Sequence, residues 1–276
     1  MDRMKRRWSV FTPQDVQAMV DRATPETMRG SIPTIYKPEL SEKLNGMELR
    51  LEFDGKASWV YQIADSTHLR WSKGGEMHEE LCEVFLLPGT GDVFFINHFC
   101  AGSAPGEQHS LVLDLTAGTA AMVVARIGNP EAAREVSREF LFGTVQGLYT
   151  GGAVPCFTDE LIGKSIIWTY APQFEIKHIY SMPLYYSYVM KFQDVCWMAS
   201  NPADYVKIRD GVYIFSFVEE RQAGVQGLFV INLDEMHDVG SFFGVQASGM
   251  ECYTFGAKGE YAEPYTFFDG EGQING

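Results

Sequence analysis

The chain has 276 residues, 46% of them hydrophobic and 13% aromatic, with a formal net charge of −14. Such a composition fills a core over most of the length and argues against a disordered chain. The acidity argues against nucleic acid and against an anionic membrane surface as partners, because phosphates are held by basic patches; it reads as solubility.

The first signal along the chain is a helix from Thr12. Thr12 is a cap, Pro13 takes the first helical position, and Val16, Met19 and Val20 follow at helical spacing. Short runs then follow, punctuated by Gly, Asp, Asn or Pro: "MELRLEF", "SWVYQI", "THLRW", "EVFLL", "DVFFIN", "SLVLDL" and "AAMVVARI". Each has the length and the β-branched or aromatic content of a strand. "NPEAAREVSREFLFG", from Asn129, repeats the helix formula with Asn as cap, Pro next and Gly143 at the stop. "TDELIG", from Thr158, adds a helical turn. Strand signals then resume with "SIIWTY", "FEIKHIY", "YYSYVM", "VYIFSFV", "GLFVINL" and "VGSFFGV".

Three segments recur in the same order about 120 residues later, which marks an internal duplication. "LNGMELRLEF" from Leu44 matches "LIGKSIIWTY" from Leu161, "GDVFFIN" from Gly91 matches "DGVYIF" from Asp210, and "SLVLDL" from Ser110 matches "GLFVINL" from Gly227. The expected layout is an N-terminal extension over 1–39, a first unit over 40–127, a helical linker over 128–156, a second unit over 157–256 and a tail over 257–276. The fold expected is all-β, two tandem barrels each able to hold a small ligand.

Strand alternation selects the candidate residues. Trp168 and Tyr170 share one face, and Tyr213, Phe215, Phe217 and Glu219 share another. A face that lines a barrel would place the Glu219 carboxylate at the end of an aromatic wall, where burial raises a carboxyl pKa and suits it to proton transfer. The other reading of Glu219-Glu220-Arg221 is a solvated strand end, and Glu220 points to the opposite face. Tyr170 is open to a role as donor to a substrate oxygen or to one as a satisfied core tyrosine. Arg70, beside Trp71, offers a planar fork for a carboxylate or is a surface arginine near a turn. His98 interrupts "VFFINHF" and is either a core histidine or a base in the first cavity.

The five cysteines, Cys82, Cys100, Cys156, Cys196 and Cys252, stand far apart with no C-x-x-C pair, and the six histidines show no H-x-H or H-E-x-x-H spacing. No metal is therefore expected. No nucleotide-binding or serine-hydrolase motif occurs, so no cofactor is expected. The basic opening lacks the apolar stretch of a signal peptide, and no apolar run reaches the roughly 18 residues of a membrane helix. A cytoplasmic location and a small-molecule partner are the expectation.

The second half, from "GKSIIWTYAPQFEIKHIYS" through "ADYVKIRDGVYIFSFVEERQAG" to "GLFVINLDEMHDVGSFFG", resembles the phenolic acid decarboxylases. Those are lipocalin-like (calycin) barrels that remove CO2 from hydroxycinnamic acids without a cofactor. The whole two-unit layout, with Leu69-Arg70-Trp71 in the first unit, is similar to the molybdenum cofactor biosynthesis protein F (MoaF) family. The resemblance implies a cofactor-free lyase acting on a small aromatic or unsaturated acid. Glu219 matches the proton-transferring Glu, Tyr170 one member of a Tyr-x-Tyr pair, and Trp168 the other position. The decarboxylase Arg falls at Ser187 in the second unit and at Arg70 in the first, while Tyr213 and Phe217 would line the pocket. Because neither unit holds the full set, a non-catalytic carrier for a small apolar or pterin-like molecule stands as the alternative. Decarboxylases of this type pair as dimers, so the resemblance implies an internal pseudo-dimer and leaves a homodimer open.

Overall fold

The computed structural model describes residues 13–22, 33–53, 58–104, 106–128, 136–193, 195–219, 224–246 and 249–262. A short helix, α1 (Pro13–Val20), begins at the proline and precedes eight strands: β1 (Glu48–Phe53), β2 (Trp59–Ile63), β3 (His68–Lys73), β4 (His78–Leu86), β5 (Val93–Phe99), β6 (Glu107–Asp114), β7 (Thr119–Ile127) and β8 (Val136–Val145). These pair in chain order, all antiparallel, and β8 returns to β1 to close a barrel. Strands with one face to solvent alternate, whereas β5–β7 are buried on both faces. Leu49, Leu51 and Phe53 of β1 point inward, for example, between exposed Glu48, Arg50 and Glu52.

The strand β8 corrects one expectation. The sequence predicts a helix and a helical linker from Asn129 onward, but Val136–Val145 is a strand that closes the first barrel; residues 129–135 lie outside the described residues. Closure decided it. The β7 and β1 edges both need a partner, and the Val, Phe and Leu positions of "VSREFLFGTV" alternate well enough to supply one. The "TDELIG" segment forms turns, with the Ile162 amide donating to the Asp159 carbonyl at 2.9 Å.

The second unit repeats the plan. After the two-residue β9 (Cys156–Phe157) come β10 (Ser165–Ala171), β11 (Phe174–Met182), β12 (Tyr185–Phe192), β13 (Val195–Arg209), β14 (Val212–Val218), β15 (Val225–Asn232), β16 (His237–Gln246) and β17 (Gly249–Tyr261). Here β17 pairs with β10, and the β12–β13 pairing completes the ring. The repeat extends to single hydrogen bonds. Gly46 donates to Ile63 and Gly163 to Tyr180; Met47 donates to Leu44 and Lys164 to Leu161. Leu44 and Leu161 are both fully buried.

The two barrels pack face to face through the outer sides of β4–β7 and β13–β16. Phe85, Phe95, Val112 and Ala121 meet Val206, Ile214, Val230 and Val239 in one buried cluster. The duplicated strands thus pack on each other as the identical patches of a two-fold dimer do. At one end of this seam Arg209 reaches Asp92 and Asp114, with Nη1–Oδ2 distances of 3.0 and 3.2 Å. Among the described residues no helix is long and apolar enough to cross a membrane.

Candidate functional site

The interior of the second barrel is aromatic. Phe215 lies 4.6 Å from the Tyr186 ring, 5.2 Å from Tyr180 and 5.4 Å from Phe229. Room for the largest rings comes from glycine. A Cβ on Gly227 would come within 2.5 Å of the Phe217 ring, and one on Gly259 within 2.6 Å of Trp168. Trp168 donates its indole N–H to Tyr180 Oη at 3.2 Å.

Glu219 lies at the end of β14, buried among these rings. Its Oε2 accepts from Tyr188 Oη at 3.1 Å and Asn201 Nδ2 at 3.2 Å, and Trp197 Nε1 in turn donates to Tyr188 Oη at 3.4 Å. The β12–β13 arm therefore covers this end of the barrel. Tyr170 points into the same interior, and its hydroxyl is buried with no hydrogen-bond partner. Burial pushes its pKa well up, with the nearby Asp238 adding to the effect. Asp238 is itself fully buried, and its Oδ2 has no partner. Phe217 stacks on Phe229 at 5.8 Å.

Three candidates lie elsewhere. Tyr213 is at the opposite end of β14 from Glu219 and donates to Glu160 Oε2 at 2.6 Å. Ser187 faces outward between inward-pointing Tyr186 and Tyr188, and its Oγ lies 2.7 Å from Ser200 Oγ on the outer surface. Arg70 is turned to the outer face of β3 between the inward Leu69 and Trp71; it is 57% exposed, pairs with Glu79, and with it lines a cleft at one end of the first barrel. Alternation fixes both results, since an inward neighbour forces an outward residue. Glu220 lies outside the described residues.

The first barrel holds a polar cluster at one end. His98 on β5 and His109 on β6 are directly opposite in the ladder, both inward and both buried. Tyr61 Oη from β2 lies 3.2 Å from His98 Nε2 and 3.0 Å from His109 Nδ1. The Cys100 Sγ sits 3.9 Å from His98 Nδ1 and 3.7 Å from His109 Nε2. The His109 Nε2–H donates to Glu107 Oε1 at 2.6 Å, and Arg126 Nε holds the other Glu107 oxygen at 2.5 Å. Burial depresses the pKa of both imidazoles, more strongly for His98, and pushes the Cys100 thiol up. For Glu107 burial works upward, but the His109 and Arg126 hydrogen bonds outweigh it and keep the carboxylate ionised. The cluster thus holds two neutral imidazoles, a thiol and a paired carboxylate. Trp71 packs on it, 4.6 Å from the His109 ring, and Trp59 lies 5.2 Å away.

A cleft of 1430 Å³ opens at this end of the first barrel. Met47, Ile63, Leu69 and Cys82 supply apolar lining, His98 and Glu80 with charged Lys37, Arg70, Glu79 and Glu83 supply polar groups, and Tyr253 and Thr254 of the second barrel complete one wall. Glu80 is buried and fastens the following loop, accepting from the Ala101 amide at 3.1 Å and Ser103 Oγ at 2.9 Å.

Sequence reading reached His98 but missed Tyr61, Cys100, Glu107 and His109. A signal was present in "INHFCAGSAPGEQHSLVL". His98-x-Cys100 and Glu107-x-His109 each keep one face, and a single hairpin sets them opposite each other. In the second barrel Tyr188 and Asn201 were missed because they reach Glu219 from a different hairpin.

Comparison with known proteins matches both halves. The model of the MoaF N-terminal domain matches residues 31–129, and that of the MoaF C-terminal domain matches residues 155–263. The protein MoaF of Klebsiella aerogenes is 27% identical over 175 residues, a stretch covering 57% of this chain and 64% of that protein. Two domain matches in the family's own order, on two barrels with the same order, establish that the chain belongs to the MoaF family.

Proposed function

We propose that the protein binds a small organic molecule in the cleft of the first barrel, with the second barrel as its scaffold. The observation that carries this reading is the 1430 Å³ cleft, apolar on most of its lining and reaching buried His98. Ligand sites have this character, an apolar concavity with a few fixed polar groups. The His98–Tyr61–His109–Glu107 chain can present a neutral imidazole to a ligand hydroxyl or carboxylic acid. The facing interior of the second barrel is occupied by rings in mutual contact.

A thermal-shift screen tests this, with hydroxycinnamic acids, other small aromatic acids, pterins and fatty acids. One class is expected to raise the midpoint; a ligand at a hundred times its Kd stabilises by about 2.7 kcal/mol. Met47→Trp, which narrows the mouth, should weaken that ligand at least tenfold. An undiminished shift in the variant would place the ligand elsewhere.

A second reading keeps a cofactor-free lyase in the second barrel, acting on a small aromatic or unsaturated acid. The partnerless Tyr170 hydroxyl favours it, as does a Glu219 carboxylate oxygen already holding two donors. In this reading Tyr170 orients the substrate oxygen and Glu219 moves the proton. Glu219→Gln should then abolish turnover of whichever acid is consumed, with a change in melting temperature of a few degrees at most. Full turnover in that variant sinks the reading.

A further inference from the structure

The cluster at the end of the first barrel has a feature that ligand binding alone does not use. Three groups of metal-binding type from one hairpin, His98, Cys100 and His109, bring one ligand atom each within 4.8 Å of one another. We propose that His98 Nδ1, Cys100 Sγ and His109 Nε2 form a three-ligand site for a divalent transition ion, zinc in the first place.

The geometry matches the ion. With a metal–sulfur bond of about 2.3 Å and metal–nitrogen bonds of about 2.0–2.1 Å, the sulfur–nitrogen edge of a tetrahedral site is about 3.6 Å. The two edges here are 3.7 and 3.9 Å. Two imidazoles and one thiolate suit zinc better than the hard cations, which prefer oxygen.

The surroundings are arranged for the same purpose. A histidine that binds metal through one nitrogen donates its other N–H to a fixed acceptor, which sets its ring. Here both remaining nitrogens, His98 Nε2 and His109 Nδ1, point at one atom, Tyr61 Oη, at 3.2 and 3.0 Å. The two nitrogens also lie 3.1 Å from each other, so His98 Nε2–H now has His109 Nδ1 as well as the phenol oxygen for an acceptor. With metal on the far nitrogens both become donors, that contact opens, and Tyr61 Oη is the acceptor left to them, its own proton going to Met122 Sδ at 3.4 Å. Tyr61 is therefore a positioning residue.

Binding is balanced in protons. The His109 proton moves from Nε2 to Nδ1, so the imidazole stays neutral. The Cys100 thiol releases one proton to solvent as the sulfur–metal bond forms. Glu107 Oε1, now 2.6 Å from Nε2 as acceptor of its proton, has to move aside to admit the ion, and it keeps its pair with Arg126. Three protein ligands leave a fourth position for water or substrate, as open zinc sites do. Trp59 and Trp71, whose rings pack on His109, carry buried indole N–H groups with no acceptor. His98 lines the cleft, which gives the entry path.

This site does not depend on the organic ligand proposed above, because metal titration reports on it with no such ligand present. The test uses the full chain, stripped with a chelator and titrated with Co(II). The expected result is one equivalent bound, with visible bands of a tetrahedral ion and a near-ultraviolet sulfur-to-cobalt band, all displaced by one equivalent of zinc. Cys100→Ser should remove the sulfur band, whereas Cys82→Ser should keep it. Tyr61→Phe retains all three ligands and should weaken zinc binding about 10- to 100-fold. A melting curve on each variant confirms folding. Absence of a saturable cobalt spectrum in folded wild-type chain overturns the proposal, and so does a sulfur band that survives in folded Cys100→Ser.

Discussion

Replacing Arg209 with alanine should destabilise the protein by about 3 kcal/mol, the scale seen when one partner of a buried ion pair is removed. The Asp114 side chain is only 2% exposed, and Arg209 is the cation that reaches it across the seam between the barrels. Its Oδ1 also accepts the Ala117 amide, so the carboxylate cannot swing away to water without giving up a second bond. Arg209 also forms a two-pronged pair with Asp92, with both N–O distances 3.0 Å. At the same end of the seam, Asn232 Nδ2 donates to the Pro88 carbonyl at 2.8 Å. Urea unfolding of wild type, Arg209→Ala, Asp114→Asn and the double variant measures the effect. The double variant should lose much less than the sum of the singles. A loss below about 0.5 kcal/mol in Arg209→Ala, the scale of a solvated surface pair, would show that the seam is held by its apolar residues alone.

Acid should destabilise the second barrel through His178. Burial alone depresses this imidazole to about 3, against an ordinary 6.5. It is enclosed by Tyr186, Phe215 and Phe229, at 5.2–5.4 Å between ring centroids, and its neighbour for hydrogen bonding is Tyr180 Oη at 3.5 Å. Below pH 6.5 the unfolded chain takes up a proton that the folded chain refuses. Stability therefore falls as pH drops from 6.5 towards 3, by up to about 1.4 kcal/mol per pH unit. Asp238 works in the opposite direction. Burial holds its pKa up, so acidification removes a penalty that the folded state carries at higher pH. Comparing wild type with His178→Leu isolates the histidine. The variant should lose roughly one proton's worth of slope between pH 6 and pH 4. An unchanged slope would mean that His178 becomes charged inside the folded barrel.

Several features of this protein are set by its residues taken a few at a time. Strand alternation sets Trp168 with Tyr170, and Phe217 with Glu219, on shared faces and leaves open whether those faces line a barrel; in the structure they face the second barrel's interior. Recurrence of Leu44 as Leu161, and of "SLVLDL" as "GLFVINL", announced two barrels of one plan, and their hydrogen bonds repeat pair by pair. Periodicity is local, and a side chain's face follows from the residue before it. The same rule sets Ser187 on the outer face between Tyr186 and Tyr188, and Arg70 on the outer face of β3, where it lines the cleft.

Other features were decided only by closure and packing in three dimensions. "VSREFLFGTV" carries helix and strand signals together, and the open edges of β7 and β1 selected strand. The contact of Cys100 with His109 depends on the register of the β5–β6 hairpin, which sets His98 opposite His109. Tyr61 joins that cluster from 37 residues before His98, and Asn201 reaches Glu219 from the arm over the second barrel. Chain order cannot state such convergences, because a barrel brings together at its end residues whose only shared property is height above the same axis.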